Sequence, residues 1–203
     1  MARPRSEHYE TVQTGILTAA AKCFATLGYE RSSVSDLVRE CNASRGTLYH
    51  YFESKEAILY SLLRTHVSGL LAKLREAGDL EDAPVTRLRR LVETIVLYNA
   101  ASPDEQVILL NDLGSLAERE QDEIRRLEQA IVDLFASALA AVDMSGRITP
   151  RNRKVYTMML LGIINYAHTW YDPAAEIKPE MFGNMTCDVF LNGFLSRIRE
   201  ERG

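Results

Sequence analysis

The stretch that decides the fold is NASRGTLYHYFESKEAIL, residues 42–59. Two serines punctuate it. Ser44 and Ser54 each precede a run with apolar residues at helical spacing. A serine hydroxyl at such a boundary accepts a hydrogen bond from an otherwise unpaired N–H of the first helical turn. Asn42-Ala43 has the composition of a short turn. The helix expected after Ser44 ends near Phe52. On a helical wheel Leu48 and Phe52 share the buried side, with Ser44 near them, and Gly46 and His50 point away. Arg45 and Tyr49 flank that outer side on one edge, Thr47 and Tyr51 on the other. The outer face has no aliphatic side chain. It offers a guanidinium, hydroxyls, an imidazole and a glycine that lets the backbone come close, the groups that read base edges and hold phosphates. Lys55 opens the next helix, where its charge and the helix N-terminus both suit a phosphate. From spacing alone, the same face serves equally as a surface helix with exposed aromatics.

Upstream, Val12, Ile16, Ala20, Phe24 and Leu27 lie on one face of a helix expected from about Glu10 to Leu27, with Gly28 placed to end it. Ser33 then caps a second helix with Asp36 in its first turn, and Val34, Leu37, Val38 and Cys41 recur with helical period. A helix, a short turn and a second helix with a polar outer face make a helix-turn-helix.

Residues 42–59, with Ala19, Ala20, Phe24, Ala25, Gly28 and Tyr29 and with Ser33, Val34 and Leu37 upstream, resemble the signature of the TetR/AcrR family of bacterial regulators. The resemblance covers about residues 10–60. Ala43 and Cys41 stand where family members often carry Val or Ile. It implies a fold of about nine helices, a homodimer, and a reading head on a ligand-binding body. Carried over, it gives Arg45 and Thr47 contacts to bases and Tyr49, Tyr51 and Lys55 contacts to phosphates. His50 does either, and Gly46 keeps the approach to the groove open. Repression, with release by a small-molecule inducer, follows from the resemblance. Arg3 and Arg5 form a small basic arm or a plain tail. One reading head makes few contacts, so a dimer on a near-palindromic double-stranded DNA operator is expected.

Downstream the pattern stays helical and shows no strand alternation. Ser54 caps a long helix with Ile58, Leu59, Leu62, Leu63, Val67, Leu70, Leu71 and Leu74 inward, closed by Gly78. Further helices are expected over about Val85–Ala101, after Ser102-Pro103, over Leu116–Val142, Arg151–Tyr171 and Pro179–Arg199. The expectation is an all-α fold of about nine helices, with residues 1–55 as the DNA-binding domain and 56–203 as the ligand-binding and dimerisation domain. The last two helices are apolar on nearly every side, through Val155, Met158, Met159, Leu160, Leu161, Ile163 and Ile164 and then Met181, Phe182, Met185, Val189, Phe190, Leu191, Phe194, Leu195 and Ile198. Such helices bury more than one face, which points to pairing of two copies through them, with an intrachain core that takes one face of each as the alternative.

Apolar walls with a few polar groups suit a small-molecule site. Candidates are Tyr98, Leu109, Asp112, Leu113, Met159, Asn165, Tyr166, His168, Thr169 and Trp170, with Asn99, Leu110, Phe135 and Tyr171 beside them. Trp170 and Tyr171 serve alternatively as plugs of the core. The Trp170-Tyr171-Asp172-Pro173 ending is similar to a branch of the same family that responds to acyl-CoA or fatty-acid-related molecules. Arg87, Arg89, Arg90, Arg125 and Arg126 would meet a CoA phosphate, or else lie on solvated faces beside Glu118, Glu120, Glu123 and Glu128.

The net charge of −4 does not by itself suggest DNA, but residues 1–55 hold seven Lys/Arg against six Asp/Glu, and phosphate binding needs only one positive face. No apolar run reaches the ~18 residues of a membrane span, and the N-terminus lacks the apolar stretch of a signal peptide, so a cytoplasmic protein is expected. Cys23, Cys41 and Cys187 match neither a disulfide framework nor a metal site, and His8, His50, His66 and His168 are scattered without metal-ligand spacing. No cofactor, metal or catalytic group is expected. His168 and Asp172, four apart, are thin support for an enzyme. The other rival is a helical protein-interaction module, which has no reason to display Arg45, Thr47, Tyr49 and Lys55 together.

Overall fold

A computed structural model describes residues 3–80, 83–144 and 146–200, with the side chains of 8–80, 83–144 and 146–193. Among the described residues the chain is all-α, with nine α-helices and no strand. They are α1 (Arg3–Leu27), α2 (Val34–Glu40), α3 (Arg45–Tyr51), α4 (Lys55–Gly78), α5 (Pro84–Ala101), α6 (Pro103–Asp112), α7 (Glu118–Val142), α8 (Arg153–Tyr166) and α9 (Pro179–Glu200). Short 3₁₀ turns occupy Leu113–Ser115 and Ala167–Thr169.

The chain divides into two compact units, neither continuous in sequence. One joins residues 1–68 with 103–125, the other joins 69–102 with 126–203. In the first unit α1 packs against α2 and α6, and α2 against α3. Its core includes Ile16, Ala20, Phe24, Leu37, Leu48, Phe52, Ile58 and Ile108. Glu123 near the start of α7 accepts from the Tyr60 hydroxyl and from Arg64 Nε of α4, both at 2.7 Å. Ser115 donates to Glu30 at 3.0 Å.

Each turn of the first unit has a local cause. Gly28 ends α1 with φ +80°, and its N–H donates to Phe24 O at 2.8 Å. That left-handed conformation is cheap for glycine. Ser33 caps α2 reciprocally: its hydroxyl accepts from Asp36 N–H at 3.2 Å while Asp36 accepts from Ser33 N–H at 2.9 Å. A further bond, from the Ser33 hydroxyl to Asp36 Oδ2 at 2.6 Å, and then the one from Ser33 N–H hold the Asp36 carboxyl below its usual range. Asn42 ends α2 with φ 48°; its N–H donates to Arg39 O and that of Ala43 to Val38 O, both at 3.2 Å. This pair of bonds satisfies carbonyls that the helix end would leave unpaired.

In the second unit α5 and α9 pack closely. A Cβ added at Gly183 would lie 3.5 Å from the Glu93 Cα, so the glycine lets the two backbones approach. An Arg89–Asp188 ion pair joins the same helices. Phe182, Thr186, Cys187 and Leu191 are buried, whereas Met181, Met185 and Val189, on another face of α9, are exposed. On α8, Thr157, Leu160, Leu161 and Ile164 are buried and Val155, Met158, Met159 and Ile163 exposed.

Two helix limits differ from expectation. The first helix starts earlier, at Arg3. The eighth stops at Tyr166 rather than continuing to Tyr171. There His168 Nδ1 lies 2.6 Å from Asn165 O and the Thr169 hydroxyl donates to Tyr166 O at 2.8 Å. Side chains that bind nearby carbonyls compete with the helical ladder, and Pro173 follows. The side chains of Arg3, Arg5, Phe194, Leu195 and Ile198 lie outside the described residues.

Candidate nucleic-acid interface

Ser44 fixes the start of α3. Its hydroxyl accepts from Thr47 N–H at 2.9 Å and lies 2.8 Å from the Thr47 hydroxyl. Leu48 and Phe52 are buried and anchor the helix. Arg45, Gly46, Tyr49 and His50 are exposed, while Thr47 and Tyr51 are half-buried. The Arg45 guanidinium lies against α2, its Nη2 3.4 Å from the Ser35 hydroxyl. A Cβ added at Gly46 would meet only Ser44 Oγ, at 3.7 Å, which is ordinary contact. The fold itself therefore does not require glycine there.

Lys55 is placed differently from a lysine held out toward solvent. Its ammonium donates to Tyr29 O at 2.9 Å and to Ser32 O at 3.0 Å, and sits 4.1 Å from the centre of the Tyr29 ring. It clamps the α1–α2 turn onto the start of α4. An ammonium has three N–H donors, so this clamp leaves one for another partner.

The half-burial of Tyr51 comes from a residue that sequence reasoning passed over. Tyr9 of α1 lies on it, with ring centres 4.5 Å apart, and approaches His50 edge-on at 6.3 Å. The separation of Tyr9 from α3 along the chain hides this pairing; nothing in local spacing signals it.

The ten residues expected to bind a small molecule are not brought together within one unit. Leu109, Asp112 and Leu113 belong to the first unit, and Tyr98, Met159, Asn165, Tyr166, His168, Thr169 and Trp170 to the second. Leu109 is buried. Burial, and then the charge of Glu30, raise the Asp112 carboxyl above its usual range, with Lys55 opposing. The Tyr98 hydroxyl presses on Gly69, where an added Cβ would come within 2.6 Å of it. Met159, Tyr166, His168, Thr169 and Trp170 are exposed rather than turned into a core. The chain's change to a 3₁₀ turn after Tyr166 redirects the last three. Trp170 instead borders an open apolar cavity of about 280 Å³ with Ile163, Tyr171, Phe182, Met185 and Val189. Tyr171 stacks on Phe182 at 4.5 Å.

One buried polar pair was also missed. His66 Nε2 lies 3.4 Å from Gln106 Oε1, with both residues buried in the first unit. Burial pushes the His66 pKa down, partly offset by Gln106. Among the described residues, no group of three or more His, Cys, Asp or Glu converges as a metal site would need, and no helix is long and apolar enough to cross a membrane.

A short capped helix with a polar, aliphatic-free outer face, held by a second helix across a tight turn, defines a helix-turn-helix DNA-binding protein. Residues 16–62 match the family described as bacterial regulatory proteins, tetR family, and residues 81–194 the tetracyclin repressor-like C-terminal domain. The chain belongs to the TetR family and is a DNA-binding transcriptional regulator. A TetR-family transcriptional regulator from Bordetella parapertussis 12822 has 32% identity and a TM-score of 0.87, over 92% of this chain and 97% of that one. The uncharacterized HTH-type transcriptional regulator YuxN of Bacillus subtilis is 32% identical over 126 residues, which are 61% of this chain and 43% of YuxN. AibR, solved in complex with isovaleryl coenzyme A and operator DNA, shares the fold at a TM-score of 0.77 and 23% identity, over 88% of this chain and 97% of that one.

Proposed function

We propose that this protein is a homodimeric repressor that binds a near-palindromic operator through α3 and leaves it when a small molecule binds the body. Arg45 and Thr47 read base edges. Tyr49, Tyr51 and the remaining N–H of Lys55 hold phosphates, and His50 contacts either. Ser44 sets the helix start, and Gly46 gives the backbone access to the groove. The observation that carries this reading is Gly46. A glycine on an exposed helical face costs stability relative to alanine, and nothing inside the protein demands it.

The exposed apolar face of α8 and α9, made by Val155, Met159, Ile163, Met185 and Val189, is proposed to pair two copies. The apolar cavity beside Trp170 lies on that face and would receive partner side chains. A dimer gives the two reading heads that specific affinity needs. The inducer is proposed to be an apolar metabolite of acyl-CoA type, by analogy with the coenzyme A thioester in AibR. Its site would draw on Tyr98 and Asn165 of the second unit. Exposure of Met159, Tyr166, His168, Thr169 and Trp170 favours the pairing face for those five. The ligand acts by preferring a state in which the reading heads are badly spaced for successive major grooves. This reading sets the protein in the cytoplasm, with the DNA.

The test is selection of bound sequences from a random duplex pool at near-physiological salt, with the native protein and Arg45→Ala in parallel. A palindromic motif that weakens at defined positions in the variant is expected. Enrichment of nothing, even at low salt, overturns the reading and favours a helical protein-interaction module.

A further inference from the structure

The reading surface does not end at α3. Tyr9 comes from the far end of the first unit's longest helix and lies on the recognition helix, yet it remains 39% exposed. Its ring is tilted by 36° against that of Tyr51 at 4.5 Å, and Tyr51 in turn meets His50 edge-on at 5.2 Å. Tyr9 closes the set by approaching His50 at 74°. Three aromatic rings thus form a cluster on the surface of the reading head.

Aromatic rings packed in this way restrict one another's rotation. Tyr51 and His50 are the two side chains at the C-terminal end of α3, where a helix frays most readily. Without Tyr9, their phenol and imidazole would sample several rotamers, and the order needed at a phosphate or base edge would be lost again on each binding event.

We propose that Tyr9 is a positioning residue of the DNA-reading surface: its ring holds Tyr51 and His50 in the conformation that meets the duplex. This rests on the assignment of α3 as the recognition helix. The ring matters here and the hydroxyl does not.

The experiment measures Kd for two labelled duplexes, the sequence recovered by selection and one of mixed sequence, with the native protein, Tyr9→Phe, Tyr9→Ala and Tyr9→Leu. Tyr9→Phe should bind within about twofold of native. Tyr9→Ala and Tyr9→Leu should weaken binding roughly three- to tenfold, the range expected for loss of one aromatic pair. In a Tyr51→Ala/His50→Ala background the same Tyr9 changes should have no further effect. Melting temperature checks the fold, and Tyr9→Leu keeps apolar bulk should Tyr9→Ala melt early. Loss of affinity in Tyr9→Phe equal to that in Tyr9→Ala would mean that the hydroxyl itself acts, which overturns the proposal. So would an undiminished Tyr9 effect in the double-alanine background, or full affinity in Tyr9→Leu. Arg45→Ala separates the two levels: if it leaves binding and selectivity untouched, the assignment of α3 fails; if it alone weakens binding, only the role of Tyr9 fails.

Discussion

Gly46→Ala should strengthen the fold and weaken DNA binding in the same molecule. The residue sits in the first turn of α3 with ordinary helical geometry, and an added Cβ meets only Ser44 Oγ at 3.7 Å. Alanine in an exposed helix is favoured over glycine by about 0.5–1 kcal/mol. For a chain of this size that raises the melting temperature by roughly 1–4 °C. On the DNA side, the new methyl stands on the face that approaches the groove. Holding the helix away from the bases by the width of a methyl breaks one well-formed base contact, worth about 1–3 kcal/mol, or roughly 5- to 150-fold in Kd. Differential scanning calorimetry gives the first number and fluorescence anisotropy on the selected duplex the second. Unchanged affinity with raised stability would refute the close approach at Gly46 and with it the orientation given to α3. A fall in stability would refute the claim that the space beside Gly46 is open.

Ser33→Ala should cost roughly 1 kcal/mol by removing the N-cap of α2, read as a lower denaturant midpoint. Asp36 should then titrate closer to its usual pKa by NMR; because its folded value is depressed, its contribution is present above the usual carboxylate range and fades as pH falls toward the folded value. His66, buried neutral with a lowered pKa, acts in the same direction. Below about pH 6.5 the unfolded chain takes up a proton that the folded one refuses, so stability falls with acidification at up to about 1.4 kcal/mol per pH unit. His66→Gln should flatten that slope in urea titrations between pH 7 and 5. Val189→Asp, at a site 72% exposed in the single chain, should convert the proposed dimer to a monomer by light scattering with helicity unchanged, because pairing would bury an unpartnered carboxylate; a variant as dimeric as the native protein would move the proposed pairing face elsewhere.

The parts legible in the sequence were those fixed by neighbours a few residues apart. Ser33, Ser44 and Ser54 marked helix starts, and Gly28 and Asn42 marked ends, because caps act within one turn. The polar outer face of α3 was likewise a matter of local period. What escaped depends on residues remote in sequence or on competition at a single turn. The Lys55 ammonium was read as free for phosphate, while two backbone carbonyls more than twenty residues away hold it. Tyr9 was invisible beside Tyr51 for the same reason. Trp170 and Tyr166 carried the composition of a pocket wall, but hydrogen bonds from His168 and Thr169 to carbonyls accompany the early end of α8, where Tyr166 is exposed and Trp170 edges only an open apolar cavity.

The reading head borrows part of its body from the middle of the chain. The unit that carries α3 also contains residues 103–125, and α6 covers a face of α1. Specificity is therefore not portable as a simple N-terminal cassette. A chimera that grafts only the first helices onto another regulator's body would present α1 to a foreign α6. Exchange of DNA preference between relatives would succeed more often when the graft carries α6 and the first turns of α7 along, or when α3 alone is resurfaced and its scaffold left in place.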